Sequence, residues 1–351
     1  LATEARKQGK RPLIVHGGSL RKSGALEAIL ATLPEAATHE VPSREPTLAD
    51  ADAAMQAARD ANADSILAIG GGSALDIGKT AALAPLHRTA REFLSGTASA
   101  TDPLALPILA VPTTAGTGSE ATVSVVFTDP DAVKKASFRG ESLLPKTVLL
   151  DGELLKTCPM SVIAHSGLDA WVQALESFMS VGANLLTRAL AGQAAGIFRY
   201  TLLPSLSNGT TEELSELLLG SYMAGVALNT SRLGLVHGLA HPLGARTGAA
   251  HGLLCGLLFP HVLRFNTSEP RVANDLSELF LYTGHNSAEP FLRFPEDVLR
   301  LIGSPTQLSE LGVVESDLLA IAAESMPSGS TKANPRPVSE EDALAVLRAA
   351  F

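Results

Sequence analysis

The sequence predicts an α/β domain with a doubly wound, Rossmann-like parallel sheet over residues 1–157, followed by an all-helical domain over residues 158–351. Up to about residue 155, short apolar strand patterns alternate with helical patterns, which is typical of a mostly parallel sheet. After Pro159 the strand patterns disappear, and long helical patterns continue to Phe351. The cleft between two such halves is the natural place for a ligand.

The elements of the first half follow one another in a regular order. The strand patterns are RPLIVHG, SILAIG, LPILAVP and TVLLD, and the helical patterns are SGALEAILATL, TLADADAAMQAARDA and ALDIGKTAALA. Thr47 has the hydroxyl side chain that commonly caps a helix N-terminus, and Ser339 predicts the start of a last helix because acidic residues follow it. Breaks at Gly182, Asn208–Gly209 and Ser268–Pro270 divide the helical half.

Composition limits the class of protein. The chain has 351 residues, of which 46% are hydrophobic, so it is long enough to build two cores. Its net charge of −9 argues against nucleic acid or an anionic membrane as a partner. No apolar run is long enough to span a membrane, and we expect a cytoplasmic enzyme. Cys158 and Cys255 are too few for a disulfide framework and are interpreted as reduced packing residues.

Three histidines lie close together in the segment LGLVHGLAHPLGARTGAAHG. His237 and His241 are four residues apart, so they share one face of a helix. The glycines at 244 and 248 predict that this helix ends there and that His251 begins the next element. Such a cluster can bind a metal or move protons. The alternative is three core histidines, each bonded to a backbone carbonyl.

Two further segments are typical of nucleotide-binding loops. LAIGGGSALDIGKTAAL runs from a strand through glycines into a helix, an arrangement that binds phosphate at the helix N-terminus. It matches neither GxGxxG nor the P-loop pattern, and a plain tight turn is the alternative. LAVPTTAGTGSEAT places hydroxyl and glycine residues after the next strand, where backbone amides and hydroxyls can contact a ribose or phosphate.

Taken with SGLDAWVQALES and VHGLAHPLG, these two loops resemble the iron-containing (group III) alcohol dehydrogenase family, in the family's order and over essentially the whole chain. The resemblance implies the two-domain architecture shared with dehydroquinate synthase. It also implies hydride transfer between a nicotinamide and an alcohol or aldehyde, with a divalent metal that polarises the carbonyl oxygen. A homodimer or higher oligomer is expected as well.

The resemblance puts metal ligands at Asp169, His237 and His251. The family's fourth ligand, a histidine four residues after the aspartate, is replaced here by Gln173, a poor transition-metal ligand. We therefore expect one carboxylate and two imidazoles to hold one divalent metal, with zinc at least as suitable as Fe(II). His241 is expected near the nicotinamide as a proton relay, or else as a structural histidine.

The end of the first strand bears on cofactor choice. Many family members have an aspartate at the position of Gly17, and its absence removes repulsion against a 2′-phosphate. Ser19, Arg21 and Lys22 add a hydrogen-bond donor and positive charge, so NADP(H) is predicted over NAD(H). The alternative is that the two cations are solvated helix residues. By resemblance, the cofactor-binding residues are Gly17, Gly18, Ser19, Lys22, Gly71, Gly72, Ser73, Asp76, Thr113, Thr114, Thr117, Thr122 and Lys135.

Substrate identity rests on weaker observations. Arg232 precedes the histidine segment and Arg246 lies within it, and a guanidinium near the reacting carbon favours a carboxylate or phosphate on the substrate. A small polar or acidic aldehyde or ketone is therefore the expected substrate, unless both arginines are surface residues. The alternatives are a maleylacetate-reductase-like enzyme without metal, a dehydroquinate-synthase-like cyclase, and a non-catalytic dinucleotide-binding protein. Asp169 counts against the first, and PTTAGTGSE and HGLAHPLG count against the second.

Overall fold

The computed structural model of the chain describes residues 1–129 and 134–351. These residues form two compact units, one made of residues 1–114 and 119–157 and the other of residues 115–118 and 158–351. The first unit contains α1 (Ala2–Gln8), β1 (Pro12–Gly17), α2 (Gly18–Lys22), α3 (Ala25–Thr32), β2 (Ala37–Val41), α4 (Leu48–Asp60), β3 (Ser65–Gly70), α5 (Gly72–Ala81), α6 (Ala90–Ser95), β4 (Ile108–Pro112), β5 (Ser124–Asp129), β6 (Lys134–Arg139) and β7 (Thr147–Val148).

The first unit is built on a five-stranded parallel sheet in the order β2-β1-β3-β4-β7. Side chains alternate between its two faces. Leu13 and Ile66 point into a core shared with α4 and α5, whereas Ile14 and Leu67 point into a core shared with α1 and α3. Helices therefore cover both faces, and the predicted doubly wound fold class is confirmed.

Some elements of this unit were absent from the sequence prediction. β2 is an edge strand in which partly buried and exposed positions alternate before the buried Val41, so ATHEV has no apolar run that would indicate a strand. β5 and β6 form a separate antiparallel pair, with Val125 opposite Phe138. The predicted N-cap at Thr47 is confirmed, because its hydroxyl accepts a hydrogen bond from the Asp50 backbone N–H.

The second unit is all-helical in its described secondary structure. It contains α7 (Met160–Met179), α8 (Leu185–Asn208), α9 (Thr211–Ser231), α10 (Leu235–Thr247), α11 (His251–Asn266), α12 (Pro270–Thr283), α13 (Ala288–Leu301), α14 (Leu318–Ser325), α15 (Gly329–Ala333) and α16 (Glu340–Ala350). α7 is buried along most of its length, and the Trp171 ring lies 4.9 Å from the ring of Phe259 and 4.9 Å from that of Phe294. None of the helices in the described ranges combines the length and apolar content needed to cross a bilayer.

The break between α10 and α11 positions the histidine segment. α10 ends at Gly248, whose φ of +66° is the left-handed conformation that glycine adopts at low cost. α11 then begins at His251, as the sequence predicts. A Cβ on Gly252 would lie 1.8 Å from the carbonyl oxygen of His165, so only glycine permits this close approach of α11 to α7.

Candidate metal centre and dinucleotide loops

Four donor atoms meet where α7, α10 and α11 pack together. Asp169, His237, His251 and Cys255 each contribute one ligand atom, and these atoms lie within 4.8 Å of one another. His237 Nε2 lies 3.3 Å from Asp169 Oδ1, and His251 Nε2 lies 3.7 Å from the same oxygen. Asp169, His237 and Cys255 are buried, and His251 is partly exposed. The three residues expected as metal ligands are therefore brought together.

Glu176 orients His237 from the side opposite this cluster. Its Oε2 lies 2.6 Å from His237 Nδ1 and accepts a hydrogen bond from the Gly234 N–H, while its Oε1 accepts one from the Val236 N–H. These amides belong to the beginning of α10, where backbone N–H groups have no partner within the helix. The carboxylate therefore satisfies the helix terminus. In the neutral imidazole it favours the tautomer with the proton on Nδ1, which turns the Nε2 lone pair toward the other donors.

The charges in the cluster depend on its neighbours. Burial alone would raise the pKa of Asp169, but the positive potential of His251 and His237 holds it below its ordinary value. Burial opposes a charged His237 imidazole, yet hydrogen bonds to Asp169 and Glu176 raise its pKa well above the ordinary value. Burial raises the pKa of the Cys255 thiol to about 11. Without a neighbouring metal cation, the thiol therefore keeps its proton at neutral pH.

The donor set fits a divalent transition metal. One carboxylate and two imidazoles are ligands that both zinc and ferrous iron accept. In a tetrahedral zinc site, nitrogen and oxygen ligand atoms are about 3.4 Å apart. The separation of 3.3 Å between His237 Nε2 and Asp169 Oδ1 matches this value. Asp169, His237 and His251 are therefore the residues that would hold the metal.

His241 and Gln173 lie near this centre on α10 and α7. The ring of His241 stacks on that of His251, with 5.3 Å between their centroids. Gln173 is one helical turn after Asp169, is buried, and its Oε1 has no hydrogen-bond partner among the residues that the structure describes. The side-chain amide of Gln173, which stands where the family has a histidine, is therefore not held in place by a hydrogen bond to its oxygen.

Three stretches of predicted dinucleotide residues, 17–19, 71–73 and 113–114, lie at the carboxyl ends of β1, β3 and β4. A Cβ added to Gly70 would lie 3.4 Å from the Gly17 backbone nitrogen, and one added to Gly71 would lie 3.3 Å from Thr114 Oγ1. The Thr113 N–H donates to the Gly70 carbonyl. Gly71 caps the N-terminus of α5, which begins with Gly72 and Ser73. These loops meet at one edge of the sheet, where doubly wound folds bind nucleotides.

A buried polar network organises the loop after β4. Lys79 is fully buried, and its ammonium group donates hydrogen bonds to the carbonyls of Ser119 and Ser124 and to the hydroxyls of Ser119 and Thr122. Asp76 accepts hydrogen bonds from the Ser119 hydroxyl and from the Val126 N–H. Both oxygens of Asp76, one of the expected cofactor contacts, thus have partners within the protein.

This network holds ionisable groups away from water. Burial lowers the pKa of Lys79 to about 8, although Asp76 and Glu120 oppose the shift. Burial also raises the pKa of Asp76, against the effect of Lys79. It raises the pKa of Glu120 to about 7. Two buried carboxyls share one ammonium group, so burial raises the pKa of both carboxyls above their ordinary values.

The segment after β1 places an ion pair beside the expected ribose site. Arg21 Nε lies 2.9 Å from Glu40 Oε2, and about half of each side chain is exposed. A Cβ on Gly18 would lie 3.1 Å from Glu40 Oε1, so this carboxylate borders the Gly17–Ser19 turn. Lys22 is exposed on the same short helix. Lys135 lies in β6, where its Nζ is 3.3 Å from Glu45 Oε1.

Three further predicted residues, Arg232, Arg246 and Thr117, belong to the second unit and have different surroundings. Arg246 forms a two-pronged ion pair with Glu324, at 2.7 and 2.5 Å. Arg232 is exposed at the C-terminus of α9 with φ +65° and ψ −170°, a conformation that is costly for any residue except glycine. Thr117 is exposed in the four-residue segment that belongs to this unit.

Comparisons with known proteins agree with this architecture. Residues 1–152 match the family model for iron-containing alcohol dehydrogenase, and residues 163–351 match that for the C-terminal part of the Fe-containing alcohol dehydrogenase family. The 1,3-propanediol dehydrogenase of Klebsiella pneumoniae is 33% identical over 356 residues, covering 98% of this chain and 92% of that protein. The lactaldehyde reductase of Escherichia coli strain K12 is 31% identical over 369 residues, covering 100% and 95%.

A crystal structure of 1,3-propanediol oxidoreductase superposes with a TM-score of 0.90 at 30% sequence identity, covering 100% of this chain and 95% of that one. The chain belongs to the iron-containing alcohol dehydrogenase family over its full length. It is an oxidoreductase that acts on CH–OH groups. The family resemblance is confirmed, and the cyclase alternative is set aside.

Three important residues were not found from the sequence. Cys255 was interpreted as a packing residue, whereas its thiol lies among the donor atoms of the candidate metal centre, and its spacing of four from His251 was the available signal. Glu176 is seven residues after Asp169, on the same face of α7. Lys79 follows Asp76 by three residues on α5, which likewise places both on one helix face.

Proposed function

We propose that this enzyme reduces a small polar aldehyde or ketone with NADPH, using a divalent metal held by Asp169, His237 and His251. The convergence of these three donor groups within 4.8 Å is the observation that carries the proposal. A bound metal would supply Lewis-acid polarisation of the carbonyl oxygen. The names of two relatives, a 1,3-propanediol dehydrogenase and a lactaldehyde reductase, support a small oxygenated substrate.

The residues around the centre have distinct tasks in this proposal. Asp169 supplies the negative charge that a divalent cation needs in a buried site. Glu176 keeps the His237 ring in the tautomer and orientation suited to binding. His241, stacked on His251, moves the proton to or from the substrate oxygen.

The preference for NADPH rests on the turn after β1. No carboxylate is present at Gly17, and its φ of −80° is open to any residue, so glycine is not required there by the backbone. Arg21 is paired with Glu40, but an exposed ion pair contributes only about 0–1 kcal/mol. A 2′-phosphate can therefore compete with Glu40 for the guanidinium group.

An acidic substrate is supported by Arg232 more than by Arg246. The guanidinium of Arg246 is occupied by both oxygens of Glu324. Arg232 keeps a long cationic side chain at a position whose backbone favours glycine, a cost of about 1–3 kcal/mol that function would justify. Replacement by glycine removes the charge and the strain together. We expect Arg232→Gly to raise the KM for an acidic aldehyde and to leave the KM for a neutral one unchanged.

Assembly and location complete the proposal. A homodimer is expected from the family, and light scattering of the purified protein would measure its mass. A cytoplasmic location is consistent with the charge of −9. Fractionation of cells that express the full-length gene would check it.

The test of the proposed function is turnover with and without metal. A panel of small neutral and acidic aldehydes and ketones is offered with NADPH, before and after treatment with a chelator. We expect NADPH consumption that chelation abolishes and that zinc or ferrous iron restores. Asp169→Asn is the matched variant, because it keeps the side-chain volume and removes the charge. Activity that persists unchanged in the metal-free protein would favour the metal-independent reductase.

A further inference from the structure

We propose that Cys255 is the fourth protein ligand of the metal, in place of the histidine that the family has at the position of Gln173. We further propose that the resulting donor set favours zinc over ferrous iron. The inference rests on the proposed function, in which Asp169, His237 and His251 hold a divalent metal.

The distances from the sulfur atom carry the first step. Cys255 Sγ lies 3.7 Å from Asp169 Oδ1, 3.8 Å from His237 Nε2 and 3.7 Å from His251 Nε2. In a tetrahedral zinc site, a thiolate sulfur lies about 3.6 Å from each nitrogen or oxygen ligand atom. The sulfur is thus nearly equidistant from the other three donors at the expected separation.

Helix packing explains how the thiol reaches this position. Cys255 follows His251 by one turn of α11, so both side chains project from one face. Glycines at 252 and 256 allow α11 to lie directly against α7. A Cβ on Gly252 would clash with the His165 carbonyl, and one on Gly256 would lie 2.8 Å from a methyl carbon of Leu168. The face of α11 that bears His251 and Cys255 therefore packs against Asp169 on α7.

The replacement of the family's histidine ligand by Gln173 explains why the site needs another donor. Gln173 is on the same face of α7 as Asp169, but an amide oxygen binds zinc or ferrous iron poorly compared with an imidazole or a thiolate. Cys255 supplies a strong donor from the neighbouring helix. The Cys255 thiolate on α11 therefore takes the place of the histidine ligand missing from α7, and the site keeps four protein ligands.

Charge and softness determine which metal this donor set favours. Asp169 and a Cys255 thiolate together neutralise a divalent cation, and a neutral complex costs less to bury than a charged one. Cys255 is fully buried and Asp169 is 4% exposed, so this cost matters here. Thiolate is a soft ligand that favours zinc over the harder ferrous ion, whereas three imidazoles and a carboxylate do not discriminate in this way.

Cobalt(II) is the probe for the sulfur ligand, because its thiolate complexes absorb in the near ultraviolet. The experiment uses the full chain, the Cys255→Ser variant and the control Cys158→Ser. Cys158 is the one other cysteine in the sequence and lies outside the cluster, so comparing the two variants shows which cysteine sulfur binds the cobalt. We expect a thiolate-to-cobalt absorption band in the wild type and in Cys158→Ser, and none in Cys255→Ser. Metal affinity should fall at least 10- to 100-fold in Cys255→Ser, since even outer hydrogen-bond partners of ligands are worth about that much.

A second measurement needs no variant. X-ray absorption of the zinc-loaded wild type should show one sulfur at about 2.3 Å from the metal. Stoichiometric cobalt binding without the absorption band, together with a zinc shell of nitrogen and oxygen alone, would overturn the Cys255 assignment and leave the three-ligand site intact. Failure of the wild type to bind cobalt or zinc would instead overturn the proposed function as well.

Selectivity is tested by competition. Metal-free wild type and Cys255→Ser are equilibrated anaerobically with equal amounts of zinc and ferrous iron, and the bound metals are counted. We expect the ratio of bound zinc to iron to fall about tenfold or more in the variant, a change of at least ~1.4 kcal/mol in relative affinity. An unchanged ratio would contradict the role of the thiolate in selecting zinc.

Discussion

Nδ1 of His237 lies 2.6 Å from Oε2 of Glu176, and both side chains are buried. The same carboxylate accepts hydrogen bonds from backbone amides at the start of α10. One side chain therefore caps the start of a helix and orients an imidazole of the candidate metal centre. Glu176 is thus a positioning residue in the proposed metal site.

Replacement of Glu176 by glutamine should weaken metal binding. The amide keeps the volume but loses the charge, and its NH₂ group cannot accept a hydrogen bond from Nδ1 or from the helix amides. We expect metal affinity to fall about 10- to 100-fold, as for other residues that hold a ligand in place. Competition with a chromophoric chelator measures this. Glu212→Gln, at an exposed position on α9, is the control, and an equal loss in both variants would argue against a specific role.

Lys79→Met should destabilise the first unit. The three N–H groups of the ammonium have four acceptor oxygens within hydrogen-bond distance in a site that excludes water, and its removal leaves Asp76 and Glu120 buried without a counter-charge. Breaking a buried charge network in this way costs about 3–5 kcal/mol. Chemical denaturation measures the change. The exposed Lys10→Met variant is the matched control, and a similarly small effect in both would show that the network contributes little.

Glu120 should make stability depend on pH. Burial raises its pKa from the ordinary 4.5 to about 7, so between these values the folded chain holds a proton that the unfolded chain releases. The unfolding free energy therefore falls as pH rises from about 4.5 to 7, by roughly 3 kcal/mol from this group. Other groups contribute in the same range, and the difference between the wild type and Glu120→Gln isolates this one. Glu35→Gln, at an exposed position, should leave the pH profile unchanged. A Glu120→Gln profile parallel to that of the wild type would refute the assignment.

Gly17→Asp should shift cofactor preference from NADPH toward NADH. A Cβ at this position meets only Ser19 Oγ, at 4.0 Å, so the backbone accepts a side chain. The new carboxylate repels a 2′-phosphate and can bind free ribose hydroxyls. We expect kcat/KM for NADPH to fall about tenfold or more, which is at least ~1.4 kcal/mol. The isosteric Gly17→Asn variant separates charge from volume, and equal losses in the two would point to a steric effect.

The helical unit was predictable because its signals are local. The end of α10 at Gly248, the start of α11 at His251 and the cap at Ser339 all follow from residue types that favour helix ends. β2 escaped prediction because an edge strand with one exposed face lacks a continuous apolar run. The β5 and β6 pair was missed because it stands apart from the alternating parallel pattern.

The metal centre was predictable only in part. Asp169, His237 and His251 followed from motifs that resemble a known family, and the structure brings them together. Cys255 could not be separated from an ordinary buried cysteine, because its proximity to Asp169 depends on how α11 packs against α7. Glu176 was hidden for the same reason, since its partner amides are about 60 residues away along the chain.

Elemental analysis of the protein purified without chelator, beside the Asp169→Asn variant, shows whether the proposed centre holds a metal. We expect about one zinc or iron per chain in the wild type, with zinc predominating, and little metal in the variant. A wild-type protein that is free of metal, and that stays so after incubation with zinc or ferrous iron, would rule out the proposed metal site.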